Sequence, residues 1–180
     1  MKTDLRETIE LPQGVSASFQ GNLLHIKCLK GEVQRQFFYP RITIVVEQGK
    51  IVLSSLRATK REKTILGSFT AHIKNMVHGV QDPFVYKLKI CSGHFPMSVS
   101  VSGKEFVIKN FLGESVPRKV LIIPSVDVKV NGNDVTVSCS DKELAGRMAS
   151  LIENLCRITN RDRRIFQDGC YMTEKAGKTI

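Results

Sequence analysis

The 180-residue chain has no tryptophan and few aromatics, and no apolar run approaches the ~20 residues that a membrane-spanning helix needs. Its first ten residues, MKTDLRETIE, are charged throughout and lack the apolar core of a secretory signal, so a soluble intracellular protein is expected, without a membrane partner. The five cysteines, Cys28, Cys91, Cys139, Cys156 and Cys170, are odd in number, include no C-x-x-C pair and read as free thiols of a reducing compartment. The histidines His25, His72, His78 and His94 form no metal-ligand spacing, and no metal or other cofactor is expected. Glycine-rich nucleotide loops and the G-x-S-x-G and H-E-x-x-H signatures are absent too. The best remaining nucleophile is Cys170 beside Asp168, with His94 brought in as a base. Without a motif that grouping does not make an enzyme.

What is present is a globular balance, 42% hydrophobic and 24% charged residues, which can build a folded core. Against 17 acidic residues stand 27 Lys and Arg, giving a net charge of +10 and a pI near 9.6. Attraction to polyanions follows, with nucleic acid favoured over an anionic membrane.

The chain also repeats itself. Residues 15–32 overlay residues 97–114 with seven identities in eighteen positions, among them Gly21/Gly103, Ile26/Ile108 and Lys27/Lys109. Further on, Ile42, Ile44 and Val46 match Val126, Val128 and Val130, and Ile51 and Leu53 match Val135 and Val137. Alternation of period two predicts strands with one buried face. Each half then predicts a helix opened by a capping box, Thr59 with Glu62 and Ser140 with Glu143. The first carries Ile65, Leu66, Phe69, Ile73, Met76 and Val77 on one stripe, with Gly79 as a left-handed stop. The second carries Leu144, Met148, Leu151, Ile152 and Leu155 and is expected to run to Asn160. The predicted fold class is therefore α+β: two tandem copies of a mostly antiparallel β-sheet packed against one helix. Domains are expected at 1–81 and 82–180, the second with a basic C-terminal tail, since Asp82-Pro83 interrupts regular structure.

Two basic clusters are the candidate site. Arg57, Lys60, Arg61 and Lys63 surround the start of the first helix, where cations oppose its dipole; such a cluster either meets an anionic partner or is a solvated face. Arg157, Arg161, Arg163 and Arg164 precede Phe166, Tyr171 and Lys175, interleaving guanidinium forks with rings around an Asp168-Gly169 turn. Guanidinium groups pair with phosphates and stack on bases. Phe166 is expected to pack beneath the tail, whereas Tyr171 suits either packing or base stacking. With no periodic apolar face after Asn160, the tail is expected to order on RNA and to be dispensable for the fold.

The tail NRDRRIFQDGCYMTEK at 160–175 resembles that of the large-subunit ribosomal proteins of the L-six family, called L-nine in eukaryotes, in its archaeal and eukaryotic form. Asn160, Arg161, Asp162, Arg164, Phe166, Asp168, Gly169, Tyr171, Thr173, Glu174 and Lys175 stand at matching places of that pattern. HIKNMVHGV at 72–80, HFP at 94–96 and IKNFLGE at 108–114 are similar to the family's as well, which adds His94, Lys109 and Asn110 to the RNA-facing candidates. The sequence departs from the pattern in lacking a tryptophan pair in the first domain and in carrying Arg163 and Ile165 where an isoleucine and a lysine are usual. The resemblance implies two related α+β domains, the second the main rRNA-binding one, and a structural, non-enzymatic role near the sarcin-ricin loop and stalk base. Its implied partners are large-subunit rRNA, neighbouring large-subunit ribosomal proteins and, indirectly, translational GTPases. The implied location is the cytoplasm, with assembly in the nucleolus if the source is eukaryotic. The alternative is an extra-ribosomal RNA-binding module or ribosome-assembly factor.

Overall fold

Hairpins turn at both repeated glycines in the computed structural model, which describes residues 3–93 and 95–180. The chain divides into two units, Met1–Pro83 and Phe84–Ile180. In the first, β1 (Thr3–Glu10) is followed by a meander of β2 (Ser16–Gln20), β3 (Leu23–Cys28) and β4 (Gly31–Gln36). A hairpin of β5 (Thr43–Glu47) and β6 (Lys50–Ala58) then leads into helix α1 (Lys60–Gln81). The sheet orders are β1-β6-β5 and β2-β3-β4, with every pairing antiparallel. Leu24, Ile26, Ile51 and Leu53 from the sheets meet Leu66, Ile73, Met76 and Val77 of α1 in one core. The expected stripe thus holds, except that Ile65 is only half-buried and outside that core.

The second unit repeats this order. Strand β7 (Phe84–Cys91) precedes the meander of β8 (Ser98–Ser102), β9 (Glu105–Lys109) and β10 (Arg118–Leu121). Then come the hairpin of β11 (Asp127–Asn131) and β12 (Asp134–Cys139) and helix α2 (Lys142–Leu155). The correspondence reaches individual pairs: Ser16 lies opposite Lys27 in one meander and Ser98 opposite Lys109 in the other. Gly21 and Gly103 take φ of +54° and +60° at the turns, a conformation that glycine adopts without a Cβ penalty. Phase is lost at Gly113. Gly31 opens β4, but Gly113 closes a short 3-10 turn, and β10 starts only at Arg118.

Four expectations are corrected. Helix α1 runs through Gly79, which is buried, and ends at Gln81; Asp82 is extended at φ −132°, ψ 117°, because the following Pro83 disfavours helical backbone there. Helix α2 is capped by Asp141, whose carboxylate accepts the Glu143 N–H at 2.8 Å, so no Ser140–Glu143 box opens it. That helix ends at Leu155 and not at Asn160, just before the β-branched Ile158 and Thr159. The fourth concerns the tail, which is part of the fold. Strand β13 (Gly169–Lys175) and its short partner β14 (Lys178–Thr179) extend the sheet to the order β11-β12-β7-β13-β14. Cys170 is 1% exposed in the second core, and Met172 packs against it. Tail residues therefore bury themselves on β7 without a partner.

Candidate nucleic-acid interface

Around the start of α1, the Thr59–Glu62 box forms as expected: Glu62 accepts the Thr59 N–H at 2.8 Å and the Thr59 hydroxyl as well. Glu62 is 4% exposed, accepts the Tyr39 hydroxyl at 3.2 Å and lies 3.7 Å from the Arg41 guanidinium. Bonds from the Thr59 side chain and backbone hold its carboxyl down to about 2. With the acidic residue turned inward, Lys60, Arg61 and Lys63 are exposed on the first turn. Arg57 is exposed too, its backbone at φ +49° and its N–H donated to Asp4 Oδ1 at 2.7 Å. Tyr39 and Arg41, brought in by Glu62, have no signal in the sequence beyond their distance from it.

The tail cluster is assembled in the second unit by Arg118, which sequence reasoning passed over. Its Nε and Nη2 grip the Glu114 carboxylate, at 2.7 and 2.5 Å. Nη1 donates to the carbonyls of Leu155 at 2.7 Å and Arg157 at 3.2 Å, and the guanidinium lies 4.2 Å from the Phe111 ring centroid. The fork holds Glu114 below the usual carboxylate range. Arg118 thereby ties the IKNFLGE stretch to the last turn of α2, where the basic segment begins.

From that anchor the expected residues separate by role. Arg157, Asn160, Arg161, Arg163 and Arg164 are all exposed. Asn160 takes a left-handed φ of +58°, and Arg161 lies over the half-buried Phe166 at 5.0 Å. Arg164 is engaged by Asp162 through Nη2–Oδ2 at 2.7 Å and a backbone bond at 2.9 Å, which lowers the Asp162 pKa. Arg163 and Tyr171 line two neighbouring clefts. One, of about 820 Å³, is shared with Arg164, Phe166 and the 91–93 loop, and the other, of about 360 Å³, with Arg157 and Cys156. Tyr171 stands directly opposite Lys89 of β7, is 40% exposed, and has its phenol pKa raised by burial. Lys89, exposed and unremarked in the sequence, joins this face through that pairing.

Other candidates lie apart from the clefts. Lys109 is exposed at the end of β9, and Asn110 donates its amide to the Pro96 carbonyl at 3.0 Å, so its side chain shapes the loop before β8. Lys175 is exposed opposite Tyr86. His94 lies outside the described residues. Where Cys170 and Asp168 lie, the neighbouring Cys156 and burial push the Cys170 thiol up, and Asp168 accepts the Gly93 N–H. Among the described residues no three His, Cys, Asp or Glu side chains converge to hold a metal, and no helix is long and apolar enough to cross a membrane.

Comparison with known proteins agrees with this architecture. The profile of the family described as ribosomal protein L6 matches residues 11–83 and 95–169, one stretch in each unit. The large ribosomal subunit protein uL6 of Nanoarchaeum equitans (strain Kin4-M) is 41% identical over 184 aligned residues, covering 98% of this chain and 96% of that protein. Its counterpart of the same name from Methanosarcina mazei is 43% identical over 176, covering 98% and 100%. With both halves matched and relatives aligned almost end to end, the chain belongs to the ribosomal protein L6 family.

Proposed function

We propose that the chain is a structural constituent of the large ribosomal subunit, working in the cytoplasm, that binds and braces rRNA near the sarcin-ricin loop and the base of the stalk. Its second unit makes the main RNA contact, neighbouring large-subunit proteins pack beside it, and translational GTPases depend on it indirectly. The observation that carries this reading is the exposed set of Arg157, Arg163, Lys89 and Tyr171 around the β13 strand, in a chain whose relatives are named as large-subunit proteins. Forks and a ring presented on a rigid sheet suit RNA, whose phosphates supply the anions and whose unpaired bases supply flat faces. The first-unit cluster of Arg57, Lys60, Arg61 and Lys63 adds phosphate contacts, and Lys109 and Lys175 extend the basic surface of the second. The role is architectural, with no bond made or broken.

Chemical footprinting of large-subunit rRNA with and without the protein tests the placement. Protection concentrated at the sarcin-ricin loop and stalk base is expected. Protection scattered evenly over the rRNA, or none, contradicts it.

A further inference from the structure

Tyr171 and Arg163 form the wall common to two clefts, one of about 820 Å³ and the other of about 360 Å³. Two directly opposed residues on antiparallel strands have Cβ atoms about 4.5–5.5 Å apart, and Tyr171 is so paired with Lys89. The ring thus shares both clefts with a guanidinium, packs over Gly169, and stems from the residue paired with Lys89 across the ladder. Its backbone is held on both sides. Cys170 is buried opposite Ile90, and the Met172 N–H donates to Glu153 Oε1 at 3.2 Å. A ring so mounted keeps its orientation while remaining 40% exposed. The apolar wall of the larger cleft continues through Ile165, 62% exposed, and the half-buried Phe166.

We infer that this wall is a reader of unpaired RNA: one unstacked nucleobase lies against the Tyr171 ring in the larger cleft, and the phosphates flanking it are held by Arg163 and Lys89. The inference rests on the RNA-binding reading above and narrows it to a strand with an extruded base. A paired helix offers phosphates and hydroxyls to the arginines, but its stacked bases leave no face for the ring. A lone phosphate or an acidic peptide would satisfy the cations and leave the exposed ring and Ile165 uncovered. Stacking on an aromatic is tolerant of base identity, so the site selects unpaired structure more than sequence.

The test uses the full chain and two single-stranded probes of equal length and charge, oligoadenylate and the same ribose-phosphate strand without bases. Wild type is expected to bind oligoadenylate about ten- to a hundredfold more tightly, the range that stacking of a single base spans. Tyr171→Phe should keep that preference and Tyr171→Leu should abolish it, with both variants checked for wild-type circular dichroism. Arg163→Ala, in a loop, should weaken both probes alike. Equal, salt-sensitive binding of the two probes by wild type overturns base reading while leaving phosphate binding intact. A preference that survives in Tyr171→Leu overturns the assignment to this ring, and binding of neither probe by wild type overturns the RNA reading as well.

Discussion

Cys170 pairs with Ile90 across the β13–β7 ladder, and both side chains are buried in the core of the second unit. A segment that looks like an unstructured basic extension is therefore a strand of the sheet. Deleting residues 161–180 would strip β7 of that neighbour and expose the core, costing about 3 kcal/mol or more and broadening or abolishing the melting transition of that unit. Replacing Arg161, Arg163 and Arg164 with alanine leaves β13 in place and should shift the melting temperature by only a few degrees. Thermal circular dichroism of the two variants separates these outcomes.

The repeat, the strand alternation and the first capping box were legible because each has a local signature: shared glycines, period two, and Thr59 three residues before Glu62. Strand β13 was harder to read. Only Cys170 and Met172 are apolar on its inner face, because the next inward position is the charged, half-buried Glu174, beyond a register shift after Met172. Its burial depends on β7, nearly eighty residues earlier in the chain. Arg118 was illegible for the same reason, since its carbonyl partners at Leu155 and Arg157 are distant in sequence. The exposed arginines could be read as a basic cluster from spacing alone, but which of them are engaged, as Arg164 is by Asp162, required coordinates.

Arg118→Met should remove the Glu114 fork and release the last carbonyls of α2. The expected cost is about 1.5 to 3 kcal/mol, the scale of hydrogen bonds to a charged group, measured by urea unfolding. RNA affinity should fall along with it, because the 157–164 segment loses its anchor. A variant with wild-type stability would remove Arg118 as the organiser of this end.

Glu62 predicts an acid dependence. Its folded-state pKa of about 2 lies below the ordinary value of 4.5, so its contribution to stability is complete above about pH 4.5 and is lost as the pH falls toward 2. Glu62→Gln should be less stable than wild type at neutral pH, and the difference should shrink on acidification. Melting curves taken between these limits would contradict the account if the gap stayed constant.

Asp162 pairs with Arg164, which is exposed like the other tail arginines but carries this acidic partner. Asp162→Asn should therefore tighten RNA binding a fewfold at low salt and steepen its salt dependence. By analogy with nucleic acids generally, each phosphate contact adds about 0.7 to 0.9 to the log–log slope. Unchanged affinity and slope in a salt titration would show that Arg164 makes no phosphate contact.

If this protein is a standing part of the large subunit, it should be retained on large subunits purified from the source cells and washed in high salt, where its amount is quantified against the other large-subunit proteins. Equimolar presence that survives the wash is expected. Presence confined to precursor particles or to the free protein pool would contradict it, and would favour an assembly factor or an extra-ribosomal RNA-binding module instead.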